Sequence, residues 1–328
     1  MNKKPIDFII TWVDGNDPKW QAEYQKYKNE GFNSVRYRDW DILKYWFRGV
    51  EKYASWVNKI HFVTCGQKPK WLNENHPKIH LVDHRDYIPE KYLPTFSSHT
   101  IELHFAKIPE LADNFVYFND DMFVINNTKE SDFFVDDLPC DEAVLYPTSV
   151  NGADGQFDHI MLNDAEFFDR HFDIKKLIKK NRSKWISITY GKDTLKTLFL
   201  MPFPIFPGIM LHHQPQSFSI STLKEVEQRE AQLISNTSNN KFRTAEDINQ
   251  YIFRYWQLGK GNFHPYNIMR RGIFFPIKND ADYQNLFNSK YKLVCLNDGD
   301  ENVDFENEKK RLIKAFQSKF PQKSSFEK

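Results

Sequence analysis

Phe115-Val116-Tyr117-Phe118-Asn119-Asp120-Asp121 is a short apolar run that ends on two adjacent carboxylates, and its reading decides the fold. It reads as a strand, entered through Ile108-Pro109-Glu110 from a helix pattern near His99 to Lys107. Upstream, residues 6 to 13, 59 to 64 and 79 to 83 have the same strand character, so the first 130 residues alternate strand and helix patterns. Alternation of that kind predicts an α/β layer with a largely parallel sheet. Between the first two strands Trp40, Leu43, Trp46, Phe47, Val50 and Tyr53 recur at helical spacing, with Asp39 placed to cap the helix. Open α/β sheets bind ligands at the carboxyl ends of their strands, where both Asp14 and Asp120-Asp121 would emerge. Two acidic loops are therefore expected to converge on one crevice.

Beyond residue 130 the pattern is irregular, then helical from Ser221 to Leu233 and from Thr244 to Leu258, with Asn236 to Asn240 as a polar loop. A last helix ends near Ser318 and leaves Phe320 to Lys328 as an extended tail. No internal repeat and no flexible linker interrupts the chain, which reads as one domain over residues 1–328.

With 328 residues the chain buries a substantial core and is no peptide-sized module. Lys plus Arg (45) nearly balances Asp plus Glu (44), so no global field favours nucleic acid, and phosphate binding needs a local cluster. Aromatic residues make up 16 % of the chain, which suits wide aromatic-lined surfaces. Met1 to Pro5 leads straight into a strand pattern without a signal-peptide core, and a cytoplasmic protein is expected. The longest apolar run, Leu198 to Leu211, is broken by Pro202, Pro204 and Pro207 and is too short to span a bilayer. Cys65, Cys140 and Cys295 lie in unrelated contexts and read as free thiols.

Paired carboxylates at a strand end supply hard oxygen ligands that hold Mg²⁺ or Mn²⁺ against a diphosphate, the role open to Asp120 and Asp121; on spacing alone the pair is equally a solvated turn. Asp14-Gly15-Asn16-Asp17-Pro18 would make a tight turn in any protein, but at the end of the first strand its carboxylates and N–H groups would also face a nucleotide. His212 and His213, adjacent in one loop, are candidates for a general base, and either is as readily structural. Arg243 has the planar fork that suits phosphate, with the same ambiguity.

Four blocks, in order, resemble the Stealth family. The first is Ile6 to Pro18. The second runs from Arg36-Tyr37-Arg38-Asp39-Trp40 through Glu51-Lys52-Tyr53 and Pro94 to Glu102, with its Ser97, His99 and Glu102, to Tyr117-Phe118-Asn119-Asp120-Asp121-Met122-Phe123. His213 with Pro215, and then Phe242-Arg243, are similar to the third, and Cys295-Leu296-Asn297-Asp298 with Phe320 to Glu327 to the fourth. The unmatched stretches, 140–195 and 262–288, are expected to be variable insertions.

The resemblance implies a Rossmann-like, glycosyltransferase A-like sheet with helical insertions, and an enzyme that moves a sugar 1-phosphate from a UDP-sugar to a glycan hydroxyl, releasing UMP. It implies His213 as base, Arg243 on phosphate, a divalent cation on Asp120 and Asp121, and a donor surround of Asp14, Gly15, Asn16, Asp17, Arg38, His99, Glu102, Asn297 and Asp298. The acceptor would be lipid-linked or growing surface polysaccharide, with the enzyme free in the cytoplasm or peripheral at the membrane. Two rival expectations remain at this level: a glycosyltransferase that attacks C1 and releases UDP, and a glycan-binding protein without turnover.

Overall fold

The computed structural model describes residues 3–28, 37–149 and 155–328. The four apolar runs form β1 (Ile6–Thr11), β2 (Ile60–Thr64), β3 (Ile79–Asp83) and β4 (Asn114–Phe118), mutually parallel in the order β3-β2-β1-β4. β4 turns through Asn119 to Asp121 into β5 (Met122–Val124); a hairpin of β6 (Phe134–Val135) and β7 (Leu138–Asp141) follows, and β8 (Gln216–Ser219) returns antiparallel along β4. β9 (His264–Pro265) joins the hairpin, while β10 (Gly272–Pro276) and β11 (Leu293–Asn297) form a second sheet with β5, in the order β10-β11-β5. The α/β class and the parallel sheet are as the sequence predicts.

The sheet is covered on both faces, which is why its strands read as continuous apolar runs. Phe8 and Ile10 of β1, Phe62 of β2 and Phe118 of β4 pack on the Trp46, Phe47 and Val50 face of α2 (Leu43–Tyr53), which follows α1 (Pro18–Tyr27). Ile9, Val63, Phe115 and Tyr117 point the other way, onto the helices Ile220–Arg229 and Tyr251–Lys260 and the segment after α3 (Ser98–Leu103). Gly49 lets α2 approach β5: a Cβ there would lie 2.3 Å from the Val124 carbonyl oxygen. Helices α4 (Gly155–His171), α5 (Ile174–Lys180), α6 (Arg182–Trp185) and α7 (Thr194–Leu200) form a third cluster, in which Phe168, Leu177 and Trp185 pack with Tyr255 and Leu258.

Several local expectations are corrected. Asp39 does not cap α2; its Oδ1 accepts from the Asp41 N–H at 2.7 Å, a local turn that competes with capping, and the helix starts later with Ile42 as N-cap. The helix expected to Lys107 ends at Leu103 and gives way to a 3-10 turn over Phe105–Lys107. Asn236 to Asn239 are not loop but the end of the helix Ala231–Asn239, because Ser238 and Thr237 find buried partners in His104 and the Ile248 N–H. The helix expected from Thr244 begins only at Tyr251, after a turn organised by Asp247 and Asn249. The C-terminal tail is docked: Phe326 is buried, and Glu327 receives both forks of Arg48 at 2.7 Å.

One buried polar cluster fixes the edge of β1. Asp7, fully buried, accepts from Asn58 Nδ2, the Lys59 and Ala112 N–H groups and His61 Nε2 at 2.7–3.0 Å. Burial alone would raise the Asp7 carboxyl, but these donors outweigh it and hold the group below its ordinary 3.8. Its stabilising contribution is therefore present above the pKa of the unfolded carboxyl and is lost as pH falls through the lower folded value. Asp7→Ala strands these donors without an acceptor, and urea unfolding should show a loss of about 3–5 kcal/mol. A loss under about 1 kcal/mol, the worth of one ordinary hydrogen bond, would show that the cluster is not a structural anchor.

Candidate active site

The chain builds β1, β2 and β3 outward on one side and then crosses to β4 on the other, so the strand order reverses at the β1–β4 boundary. A crevice opens at the carboxyl ends of strands at such a switch point. Here it is a cleft of about 330 Å³. Thr11 to Val13 at the end of β1, Asn119 to Asp121 after β4, and Leu296 to Asp298 at β11 form its walls, with Arg38, Arg243 and Ser98 at the start of α3 around them. β11 arrives there because Asp121 is pinned between strands: its carbonyl accepts from the Leu296 N–H at 2.8 Å, one residue before β5 pairs with β11.

The carboxylate pair lies at the centre. Asp120 opens into the cleft, yet the enclosing protein and the neighbouring Asp121 charge push its carboxyl up to about 7. Asp121 Oδ2 accepts from Cys295 Sγ and meets His213 Nε2, each at 3.2 Å, whereas its buried Oδ1 has no hydrogen-bond partner among the described residues. A buried carboxylate oxygen without a donor, next to a second carboxylate, is costly unless a cation completes it. The pair therefore fits Mg²⁺ or Mn²⁺, which prefer oxygen ligands. Ligand atoms of Asp121, His213 and Cys295 also lie within 4.8 Å of one another, but burial holds the Cys295 thiol protonated as a donor. Sequence reasoning took Cys295 only as a free thiol; the one signal was its place in the block that carries Asn297 and Asp298.

The two histidines separate. His212 Nε2 is tied at 2.7 Å to the buried Glu142, away from the pair. His213 is half-exposed beside the cleft, outside its lining residues and in contact through Asp121. Burial would lower His213, but the Asp121 carboxylate prevails and raises it.

Arg243 lines the cleft and donates to Ser98 Oγ. Its loop is held from behind: Asp247 accepts from Asn240 Nδ2 and from the Thr244 N–H and hydroxyl, and its Oδ2 lies 3.2 Å from His99 Nδ1. His99 is thus a buried support of the Arg243 loop and not part of the wall. Glu102 is likewise behind the wall, accepting at 3.0 Å from the Tyr117 hydroxyl, which in turn meets Thr11.

The remaining candidates divide between wall and scaffold. Arg38 and Asp298 both line the cleft but are paired with each other, Trp40 Nε1 adding a third contact at 2.7 Å, and the guanidinium lies over Phe305. Asn297 lines the wall between them and Leu296. Asp14, Gly15, Asn16 and Asp17 are not among the lining residues. Asp14 Oδ1 accepts from the Asn16 N–H, Asp17 caps α1 by accepting from Lys19 N, and Gln67 binds both residues. Gly15 serves close approach, since a Cβ would lie 2.5 Å from the Tyr37 carbonyl oxygen. Arg36, in the second block, lies outside the described residues.

Residues 4–31 match the family model Stealth protein CR1, conserved region 1, and residues 36–140 match Stealth protein CR2, conserved region 2. Over its whole length the chain is 43 % identical to a capsular polysaccharide phosphotransferase, WcwK, of Streptococcus pneumoniae, covering 99 % of that protein. The chain belongs to the Stealth family. It is a transferase. Two other relatives, the exopolysaccharide phosphotransferase cps2G of Lactiplantibacillus plantarum and the receptor polysaccharide phosphotransferase WefC of Streptococcus gordonii, are each 38 % identical over 98 % of the chain, covering 96 % and 98 % of their own lengths. The galactosyltransferase LgtC superposes only loosely, with a TM-score of 0.42 at 10 % identity over 95 % of each chain. The two Stealth regions together supply both sides of the β1–β4 switch point and the carboxylate pair.

Proposed function

We propose that this Stealth-family transferase moves a sugar 1-phosphate from a UDP-sugar to a hydroxyl of a glycan acceptor in the cytoplasm, releasing UMP and building a phosphodiester into capsular or other surface polysaccharide. The observation that carries the reading is the Asp121 oxygen left without a donor beside Asp120, in the switch-point cleft that also holds Arg243. The names of the relatives, all polysaccharide phosphotransferases, support the phosphoryl-transfer class.

The acceptor oxygen forms a bond to the β-phosphorus, the bond from that phosphorus to the oxygen of UMP breaks, and the acceptor proton is taken up by the enzyme. Phosphoryl transfer asks chiefly for positioning and charge neutralisation. A divalent cation on Asp120 and Asp121, when bound, would neutralise diphosphate charge. Arg243, steadied by Ser98, presents its fork to phosphate. With His213 Nε2–H donated to Asp121, Nδ1 is the basic nitrogen that receives the acceptor proton. Trp12, Trp20 and Tyr37 give the cleft aromatic faces against which a uracil ring can stack.

The nucleotide product tests the reaction class. Incubated with a UDP-sugar and acceptor glycan, the enzyme should release UMP in step with product. UDP as the sole nucleotide would place the attack at C1 and make the enzyme a glycosyltransferase.

A further inference from the structure

Residues 173–207 contain eight Lys or Arg and two Asp, in a chain whose 45 Lys plus Arg and 44 Asp plus Glu nearly balance as a whole. α5 buries Leu177 and Ile178 and exposes Lys175, Lys176, Lys179 and Lys180; Arg182 and Lys192 follow, also exposed. The next helix is inverted. α7 buries Thr197, whose hydroxyl accepts from the Leu145 N–H at 3.0 Å, and turns Leu195, Leu198 and Phe199 outward at the i, i+3, i+4 spacing of one face. Around it Ile188 is 95 % exposed, Ile205 72 % and Phe203 51 %. A folded surface leaves such large apolar groups together only where something covers them.

The structure assigns this segment as a docking surface for an anionic phospholipid bilayer, with the α7 face and its flanking apolar residues entering the headgroup boundary and the exposed lysines of the same segment meeting lipid phosphates. The charge decides the occupant. Lysine is depleted from protein–protein interfaces, whereas each Lys or Arg beside an anionic leaflet adds attraction and apolar tips add insertion. No helix among the described residues is long and apolar enough to cross a membrane, so the contact is one of lying on the surface. The segment runs on directly into His212 and His213, which ties the docked face to the loop beside the cleft. A lipid-carried acceptor would give the docking its use, but the inference stands without the proposed chemistry.

Vesicle flotation of the full chain tests it. The protein should float with phosphatidylglycerol–phosphatidylcholine vesicles, not with phosphatidylcholine alone, and salt should weaken the binding. A variant carrying Leu195→Ser, Phe199→Ser and Ile205→Ser, and another carrying Lys175→Glu, Lys179→Glu and Lys180→Glu, should each partition at least ~10-fold less. All six positions are exposed, so the thermal midpoint should stay in place and confirm that both variants fold. Asp121→Asn should bind vesicles as the parent does, which separates failure of docking from failure of the catalytic reading. The proposal is overturned if the parent chain stays unbound with anionic vesicles or if the serine variant floats equally well. It is also overturned if the parent is a dimer in solution that the serine substitutions split without any vesicle binding.

Discussion

Asp121→Asn is expected to lower turnover by ~10³-fold or more while leaving the fold intact. The backbone carbonyl that joins β4 to β11 through Leu296 is untouched, and an amide oxygen still accepts from Cys295. What disappears is the charge that faces Asp120 and the unpartnered oxygen that a cation would fill. Relief of the repulsion means that the thermal midpoint of the variant should hold or rise. In the parent enzyme, Mn²⁺ at about a hundred times its dissociation constant should add about 2.7 kcal/mol of stability, and that increment should vanish in the variant. Full activity in Asp121→Asn, or in the parent under excess chelator, would reduce the pair to a turn.

His213→Ala should leave the donor KM nearly unchanged and cut kcat by ~10² to 10⁴-fold, the usual worth of a positioned general base. His212→Ala should behave differently. It removes the 2.7 Å partner of the buried Glu142, so its damage should appear as lost stability with kcat of the folded fraction largely kept. Steady-state kinetics beside urea unfolding for both variants separates the roles, and a normal kcat for His213→Ala would remove that residue as base.

The sheet was legible because β1, β2 and β4 are buried on both faces and so carry their apolar character in nearly unbroken runs, whereas the edge strand β3 buries only Val82. The acidic end of β4 was legible for the same reason: an abrupt change from Phe118 to Asn119-Asp120-Asp121 can only be the strand leaving the core. Helix boundaries were less so, since Asp39, Asp247 and Asn249 spend their side chains on local turns that composition does not distinguish from caps. Ser238 and Thr237 are helical through partners 134 and 11 residues distant in sequence. Within the site, residue type marked Asp121, His212, His213 and Arg243 as chemically apt and the family resemblance chose His213 of the two histidines, but neither gave access to their pairing. That His212 belongs to Glu142, that Arg38 belongs to Asp298, and that Asp14 and Asp17 belong to Gln67 and α1 are facts of tertiary packing. The exposed apolar face of α7 escaped for a related reason. Periodicity marks an apolar face, and only the fold shows that Thr197 turns inward instead.

The central claim is that phosphorus, not C1, is the atom attacked, and the oxygen that bridges C1 and the β-phosphorus of the donor records which bond breaks. A UDP-sugar carrying heavy oxygen at that bridge, turned over with the acceptor glycan, should deliver the label into the new phosphodiester, still bonded to C1, with unlabelled UMP released. Recovery of the label in UDP would mean that the C1–oxygen bond was cleaved, and would contradict the account.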